Sequence, residues 1–329
     1  QGKHFAVHNA FARRQPLHIT AAEAGGGAQR VRMVNQALAR LPEVTRQLGV
    51  TTTKSSPDLT MVVHLRSPNG AQATILLHGA HVVSWIPAGH EEQLYLSPET
   101  KYGDGAAVRG GVPVIFPQFN QQGPLPKHGF ARNRAWQLQT AEVRGEHAFA
   151  VLTLSDDEAT RAIWPHAFTL ELTVSVDDRR LEMELAVLNT GEAAFEFQAA
   201  LHTYLGCGDV RRAQLEGLLD QNYHDAVLDQ PRQQWIDVVT IAQELDRIYW
   251  NAPKELTLRE TGRRLLIQSH AFDDVVVWNP GPEKCAALPD MPDDDWLQML
   301  CVEAAQIGDR VRLAGGQEWV AMQTLVVAD

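Results

Sequence analysis

A carboxylate set in an otherwise apolar strand is the sharpest chemical signal in this chain. Glu303 lies in Met299-Leu300-Cys301-Val302-Glu303-Ala304-Ala305. Burying a carboxylate without a partner costs several kcal/mol, so such a group must be paired, protonated or placed at a cleft. A buried salt bridge to an arginine accounts for it as readily as catalysis does. A second candidate is His202, near the end of Ala199-Ala200-Leu201-His202-Thr203-Tyr204-Leu205. Strand alternation puts His202 and Tyr204 on one face and Leu201 and Thr203 on the other. A histidine there is either a general acid or base, or a core residue with its hydrogen bonds met.

A third group is cationic. Val108-Arg109-Gly110-Gly111-Val112-Pro113 runs on to Phe116-Pro117-Gln118-Phe119, and Lys127-His128-Gly129-Phe130-Ala131-Arg132 follows. Two arginines, a lysine and a histidine over glycine-rich backbone suit an anion, since the planar guanidinium fork matches phosphate oxygens in pairs. The glycines are expected to bring backbone close to whatever Arg109 binds. The alternative is that these are loop arginines paired with nearby carboxylates, with His128 a capping or core residue. There is no nucleophile elbow, Walker loop, Rossmann glycine pattern or metal-ligand cluster at recognisable spacing. Asp293-Asp294-Asp295 lacks the spacing of a calcium loop and reads as a solvated turn.

The elements that must hold these groups are strands. Leu59–Arg66 and Ala71–Leu77 flank an Asn69-Gly70 turn, and His81–Ile86 is closed by Pro87. Strands are expected over Phe149–Leu154, Phe168–Val176, Leu181–Leu188 and Phe195–His202. Others follow over Glu255–Glu260, Arg264–Ser269, Val275–Trp278, Leu300–Ala304 and Trp319–Val327. Such spacing, with little helical periodicity, predicts antiparallel sheets packed face to face in one large all-β sandwich over residues 51–329.

Residues 1–50 differ in character. They carry seven Lys/Arg against two Asp/Glu, and Val31, Val34, Leu38 and Leu41 follow helical spacing. A partly helical N-terminal extension is expected, with a second short helical turn from Pro42 to Gly49. A transit peptide fits less well, because the segment has no serine.

The whole chain has 329 residues, 44% hydrophobic and 21% charged, with a formal net charge of −11. That charge disfavours nucleic acid and anionic membranes as partners, and an anionic ligand would need the local cationic cluster to overcome it. No apolar run reaches the roughly 20 residues needed to span a bilayer. The start of the chain lacks the pattern of a secretory signal. Three cysteines form no disulfide framework, so a reducing, cytoplasmic setting is expected.

Taken in order, these motifs resemble the glucose-6-phosphate 1-epimerase family, the hexose-6-phosphate mutarotase branch of the aldose 1-epimerase superfamily. The resemblance spans about residues 57–327 and includes Thr160-Arg161, Trp164-Pro165-His166, Asp246-Arg247-Ile248-Tyr249 and Trp278-Asn279-Pro280. It implies a twisted antiparallel supersandwich like galactose mutarotase, with His202 as general acid and Glu303 as general base. Phosphate- and sugar-binding positions would fall on Arg109, Lys127, Arg132 and Asp246, with His128 beside the ring oxygen. The implied substrate is a hexose 6-phosphate whose α and β anomers interconvert by ring opening, with no cofactor or metal. An unphosphorylated hexose, or carbohydrate binding without catalysis, are the competing readings. Three positions depart from the family pattern: Lys127 where an uncharged residue is usual, Asn120 in place of glycine, and Gly281 in place of tryptophan.

Overall fold

The computed structural model describes residues 61–103 and 105–329, together with the backbone pairing of 46–47 and 50–53. It is built from three antiparallel sheets of five, eight and nine strands. The helical extension expected over 1–50 lies outside the described residues except at its end. There Arg46–Gln47 pairs antiparallel with Val50–Thr53, where a helical turn to Gly49 was expected; the β-branched run Val50-Thr51-Thr52-Thr53 favours extended backbone.

Alternation places the core. In Phe168–Asp177, Phe168, Leu170, Leu172, Val174 and Val176 are buried. The paired strand Arg180–Asn189 buries Leu181, Met183, Leu185 and Val187. Both belong to the nine-stranded sheet, and their apolar faces join one cluster with Val302 and Ala304 of the eight-stranded sheet and Val63 and Ile75 of the five-stranded one. Each such side chain contributes about 1.5–3 kcal/mol on burial. Each expected strand has a counterpart: His81–Ile86 and Glu255–Glu260 match as expected, Val62–Arg66, Gln72–Leu76 and Phe195–Leu201 are shorter, and all but one of the others run a residue or two further at one or both ends. Met299–Leu313 runs much further than Leu300–Ala304, because the chain continues as an extended edge beside Phe195–Leu201.

The eight-stranded sheet carries the site. Its central order is Leu245–Tyr249, Asp274–Asn279, Met299–Leu313 and Phe195–Leu201, and the short strand Tyr204–Gly206 also pairs with Met299–Leu313. From Met299 to Ile307 every residue is buried. One face packs on the core, and on the other Ala305 and Ile307 form a second apolar cluster with Val276, Ile248 and Phe119. A strand covered on both faces loses the apolar–polar alternation that would mark its orientation in the sequence. Among the described residues no helix is long and apolar enough to cross a membrane.

Candidate active site

On the face of the eight-stranded sheet away from the core lies a cleft of about 300 Å³. Its lining includes all seven residues singled out above: Arg109, Lys127, His128, Arg132, His202, Asp246 and Glu303. The two strand-borne groups meet, His202 Nε2 lying 3.3 Å from Glu303 Oε1. Both are buried, yet His202 Nδ1 and Glu303 Oε2 have no hydrogen-bond partner among the described residues.

The pair is held from behind. The His202 amide donates to the Pro113 carbonyl (3.0 Å), and Val302 N donates to the Thr203 carbonyl (3.0 Å), tying the two neighbours together. Gln323, on the nine-stranded sheet, accepts from Thr203 Oγ1 at 2.5 Å and donates to the Val302 carbonyl at 3.1 Å. One buried side chain on the opposite sheet thus grips the residue after His202 and the residue before Glu303. Gln323→Leu leaves both partners unpaired, at about 1–3 kcal/mol each. It is expected to lower the melting temperature and, by loosening the pair, to reduce kcat more than it raises KM.

The cationic side is built by loops. Gln118 stitches its own loop, donating from Nε2 to the Asn120 and Leu125 carbonyls and accepting from Leu125 N. Gln198 accepts from Phe119 N at 3.0 Å. This frame presents Lys127 and His128. His128 Nδ1 accepts from Asn120 N at 3.2 Å, which leaves its proton on Nε2. Burial, then the charges of Arg132, Lys127 and Arg109, push the His128 pKa down to about 3, so it is a neutral donor beside His202, ring centroids 5.5 Å apart.

Arg109 pairs through Nε with Asp290 Oδ1 (3.2 Å) and donates from its terminal nitrogen to Tyr204 OH (3.2 Å). The paired-arginine alternative therefore holds for this residue even though it lines the cleft. The reading of its glycines is corrected: Gly110 makes room for protein, not ligand. At φ 116° its missing Cβ would stand 2.4 Å from the Tyr95 carbonyl oxygen. Arg132 differs from Arg109. It donates to the Lys127 carbonyl at 3.2 Å, its Nε is buried without a partner, and no carboxylate pairs with it among the described ion pairs. Lys127 likewise has none, and burial followed by Arg132, Lys284 and Arg109 lowers its pKa.

Burial also sets the central pair. It raises the Glu303 pKa well above the ordinary value, Asp246 adding to the rise and Arg132 opposing it. Burial, His128, Arg132 and Arg109 hold His202 well below its ordinary value. The two groups therefore share one proton over a wide pH range. On Leu245–Tyr249, burial first and then Glu244 and Asp225 raise the Asp246 pKa, against Lys284 and Lys127.

Tyr204, Trp278 and Lys284 also line the cleft and were not among the expected site residues. Tyr204 was legible in principle, since it shares the His202 face and stacks on that ring at 5.0 Å. Lys284 sits on a short helix, Gly281–Ala286, that the strand pattern gave no reason to expect. Asn279 fixes that helix, accepting from Gly281 N and donating to the Trp296 and Met299 carbonyls, each at 2.8 Å. Gly281, with φ 64°, is required because a Cβ there would lie 2.3 Å from Glu244 N. That approach brings Lys284 Nζ to 2.6 Å from Glu244 Oε1. The acid run is also more than a solvated turn, for Asp295 accepts from Tyr95 OH at 2.7 Å.

Comparison with known proteins agrees with this geometry. The aldose 1-epimerase family profile matches residues 61–325. The chain belongs to the aldose 1-epimerase family. It is an isomerase of that kind, with the fold of the mutarotases. An Escherichia coli K12 protein described as a candidate glucose-6-phosphate 1-epimerase is 36% identical over 278 residues, covering 82% of this chain and 90% of its own. A Cenchrus ciliaris protein with the same description is 33% identical, over 78% of this chain and 82% of its own. The crystal structure of a candidate mutarotase from Salmonella typhimurium superposes with a TM-score of 0.82 at 31% identity, covering 90% of this chain and 99% of that one.

Proposed function

We propose that this epimerase acts on hexose 6-phosphates, with His202 and Glu303 moving the protons and Arg132 and Lys127 gripping the phosphate. The observation that carries the phosphate is Arg132, a half-buried guanidinium whose Nε is buried without a partner and which, like Lys127 beside it, pairs with no carboxylate among the described residues. An uncharged sugar would leave both cations uncompensated. A cleft of about 300 Å³ stands at the low end of the range for ligand pockets, about 300–1,000 Å³, which suits one monosaccharide.

The chemistry follows from one shared proton. Glu303 takes the proton of the C1 hydroxyl as His202 gives its own to the ring oxygen. The C1–O5 bond breaks, the aldehyde turns about C1–C2, and the ring closes on its other face with the transfers reversed. A phosphate dianion on Arg132 and Lys127 offsets charge that depresses His202, so substrate favours the protonated imidazole needed for the first step. Neutral His128 points its Nε2 proton toward the ring oxygen. Arg109, fixed by Asp290, and Asp246 position the hydroxyls. On this reading the protein works in the cytoplasm, in keeping with three buried cysteines that form no disulfide.

The test compares anomer exchange of glucose and of glucose 6-phosphate by NMR magnetisation transfer. The phosphorylated sugar is expected to be accelerated at least tenfold more in kcat/KM. Equal acceleration of both sugars removes the phosphate from the reading and leaves a mutarotase of free hexoses.

A further inference from the structure

We propose that the floor of the cleft is also a binding site for a soft divalent cation, held by His202, Cys301 and Glu303, and that filling it with Zn²⁺ or Cd²⁺ stops anomer exchange. One donor atom from each of these three buried residues lies within 4.8 Å of the other two. Cys301 and Glu303 are two apart on Met299–Leu313, so their side chains leave the same face of the sheet. Cys301 is directly opposite Tyr204 on one neighbouring strand and Trp278 on the other, and both of those line the cleft. The sulfur thus lies beneath the acid–base pair, on the cleft side of the sheet.

The donor set is a thiol, an imidazole and a carboxylate, the ligands zinc takes at about 2.0–2.3 Å. Donors around a tetrahedral ion at those lengths stand about 3.3–3.8 Å apart. The imidazole and carboxylate already lie 3.3 Å apart, and the sulfur needs to close by at most about an ångström, within the reach of one χ1 adjustment. His202 Nε2 and Glu303 Oε1 have each other as partners, a contact the metal replaces; Nδ1 and Oε2 have none among the described residues, and Cys301 is a free thiol. The fourth position faces the cleft, where water completes the shell.

Charge selects the kind of ion. Binding expels the thiol proton of Cys301 and the proton shared by His202 and Glu303, both to solvent, and no electron moves. Thiolate and carboxylate together balance the double charge of the ion. Arg132 and Lys127 repel any cation here, Arg109 is offset by Asp290, and Asp246 is the further acid of the cleft. Mg²⁺ and Ca²⁺, which rely on several oxygen ligands, have one carboxylate to hold them and are not retained. A thiolate-preferring ion gains a bond that outweighs the repulsion.

Binding is read without reference to activity. Chelator-treated protein is titrated with Cd²⁺ and followed by the ultraviolet thiolate-to-metal absorption, while exchange is measured with added Zn²⁺. One equivalent of Cd²⁺ is expected to produce the band, Zn²⁺ to slow exchange at least tenfold, EDTA to restore it, and Mg²⁺ to do neither. Cys301→Ser should retain exchange in metal-free buffer, lose the band and need at least tenfold more Zn²⁺. Glu303→Gln and His202→Ala keep the thiol and should bind Cd²⁺ at least tenfold more weakly, a check that stands if Cys301→Ser does not fold. A band that survives Cys301→Ser but disappears in Cys207→Ser or Cys285→Ser overturns the site. So does Zn²⁺ inhibition equal in Cys301→Ser and the parent, or Cd²⁺ affinity unchanged by loss of His202 and Glu303.

Discussion

Replacing Glu303 by glutamine is expected to lower kcat for anomer exchange by about 10²–10⁴-fold, the usual worth of one positioned proton-transfer group. Glutamine has the same shape and cannot accept the C1 hydroxyl proton. The backbone of Glu303 is held by pairing with Val276 and by the Val302–Thr203 bond, neither of which uses its side chain. The fold should therefore survive, and the melting temperature change little. Glu303 is 1% exposed, so water cannot easily stand in for it. His202→Ala should act similarly on kcat, and the double variant should be little worse than either single one, because the pair works as a unit on one proton. NMR exchange between the anomers of glucose 6-phosphate, above the solvent rate, checks all three. Full activity in Glu303→Gln would refute the acid–base pair as drawn.

The same pair dictates the pH profile. Exchange needs exactly one proton on the two groups, so activity falls when both are protonated and again when both are bare. The depressed His202 sets the acid limb below its ordinary 6.5, and the raised Glu303 sets the alkaline limb well above its ordinary 4.5. The plateau lies between the two limbs. The kcat/KM profile of the parent, corrected for ionisation of the substrate phosphate (pKa about 6), is expected to show it.

Much of this was legible in the sequence, and the reasons are local. Arg180–Asn189 buries one face only, and Phe168–Asp177 alternates apolar with polar residues even where Thr173 and Ser175 are covered, so alternation gave both away. Glu303 stood out because an acid amid Leu300, Cys301, Val302 and Ala304 demands an explanation. What was hidden depends on contacts distant in the chain. Nothing around Gly110 tells that its close neighbour is the Tyr95 carbonyl and not a ligand. Nothing near Arg109 or Arg132 tells that the first pairs with Asp290 and the second with no acid among the described residues. Lys284 was invisible because its place at the cleft follows from Gly281 packing on Glu244 and from Asn279 anchoring the helix. Alternation and composition report on which face is buried. They carry no information about which charges end up paired.

That difference between the arginines gives the second large effect. Arg132→Ala is expected to raise KM for glucose 6-phosphate by roughly 10–100-fold, from about 1.5–3 kcal/mol for a hydrogen bond between charged groups. Exchange of unphosphorylated glucose should be nearly unaffected, since the guanidinium serves the far end of the sugar. Arg109→Ala should instead weaken both sugars and lower stability, because it strands a half-buried Asp290 and a buried Tyr204 hydroxyl. A second signature separates phosphate binding from simple damage to the cleft. Arg132 lowers the pKa of His202 and of Glu303 alike. Removing its charge raises both, so the two limbs of the pH profile should move to higher pH together, with no narrowing of the plateau. Lys127→Ala should raise KM for the phosphorylated sugar by less and leave the limbs in place, because its charge is among those that shift His128 but not among those that shift His202 or Glu303. An Arg132→Ala enzyme that loses activity equally on both sugars, with its limbs unmoved, would make Arg132 a structural residue and take the phosphate grip elsewhere.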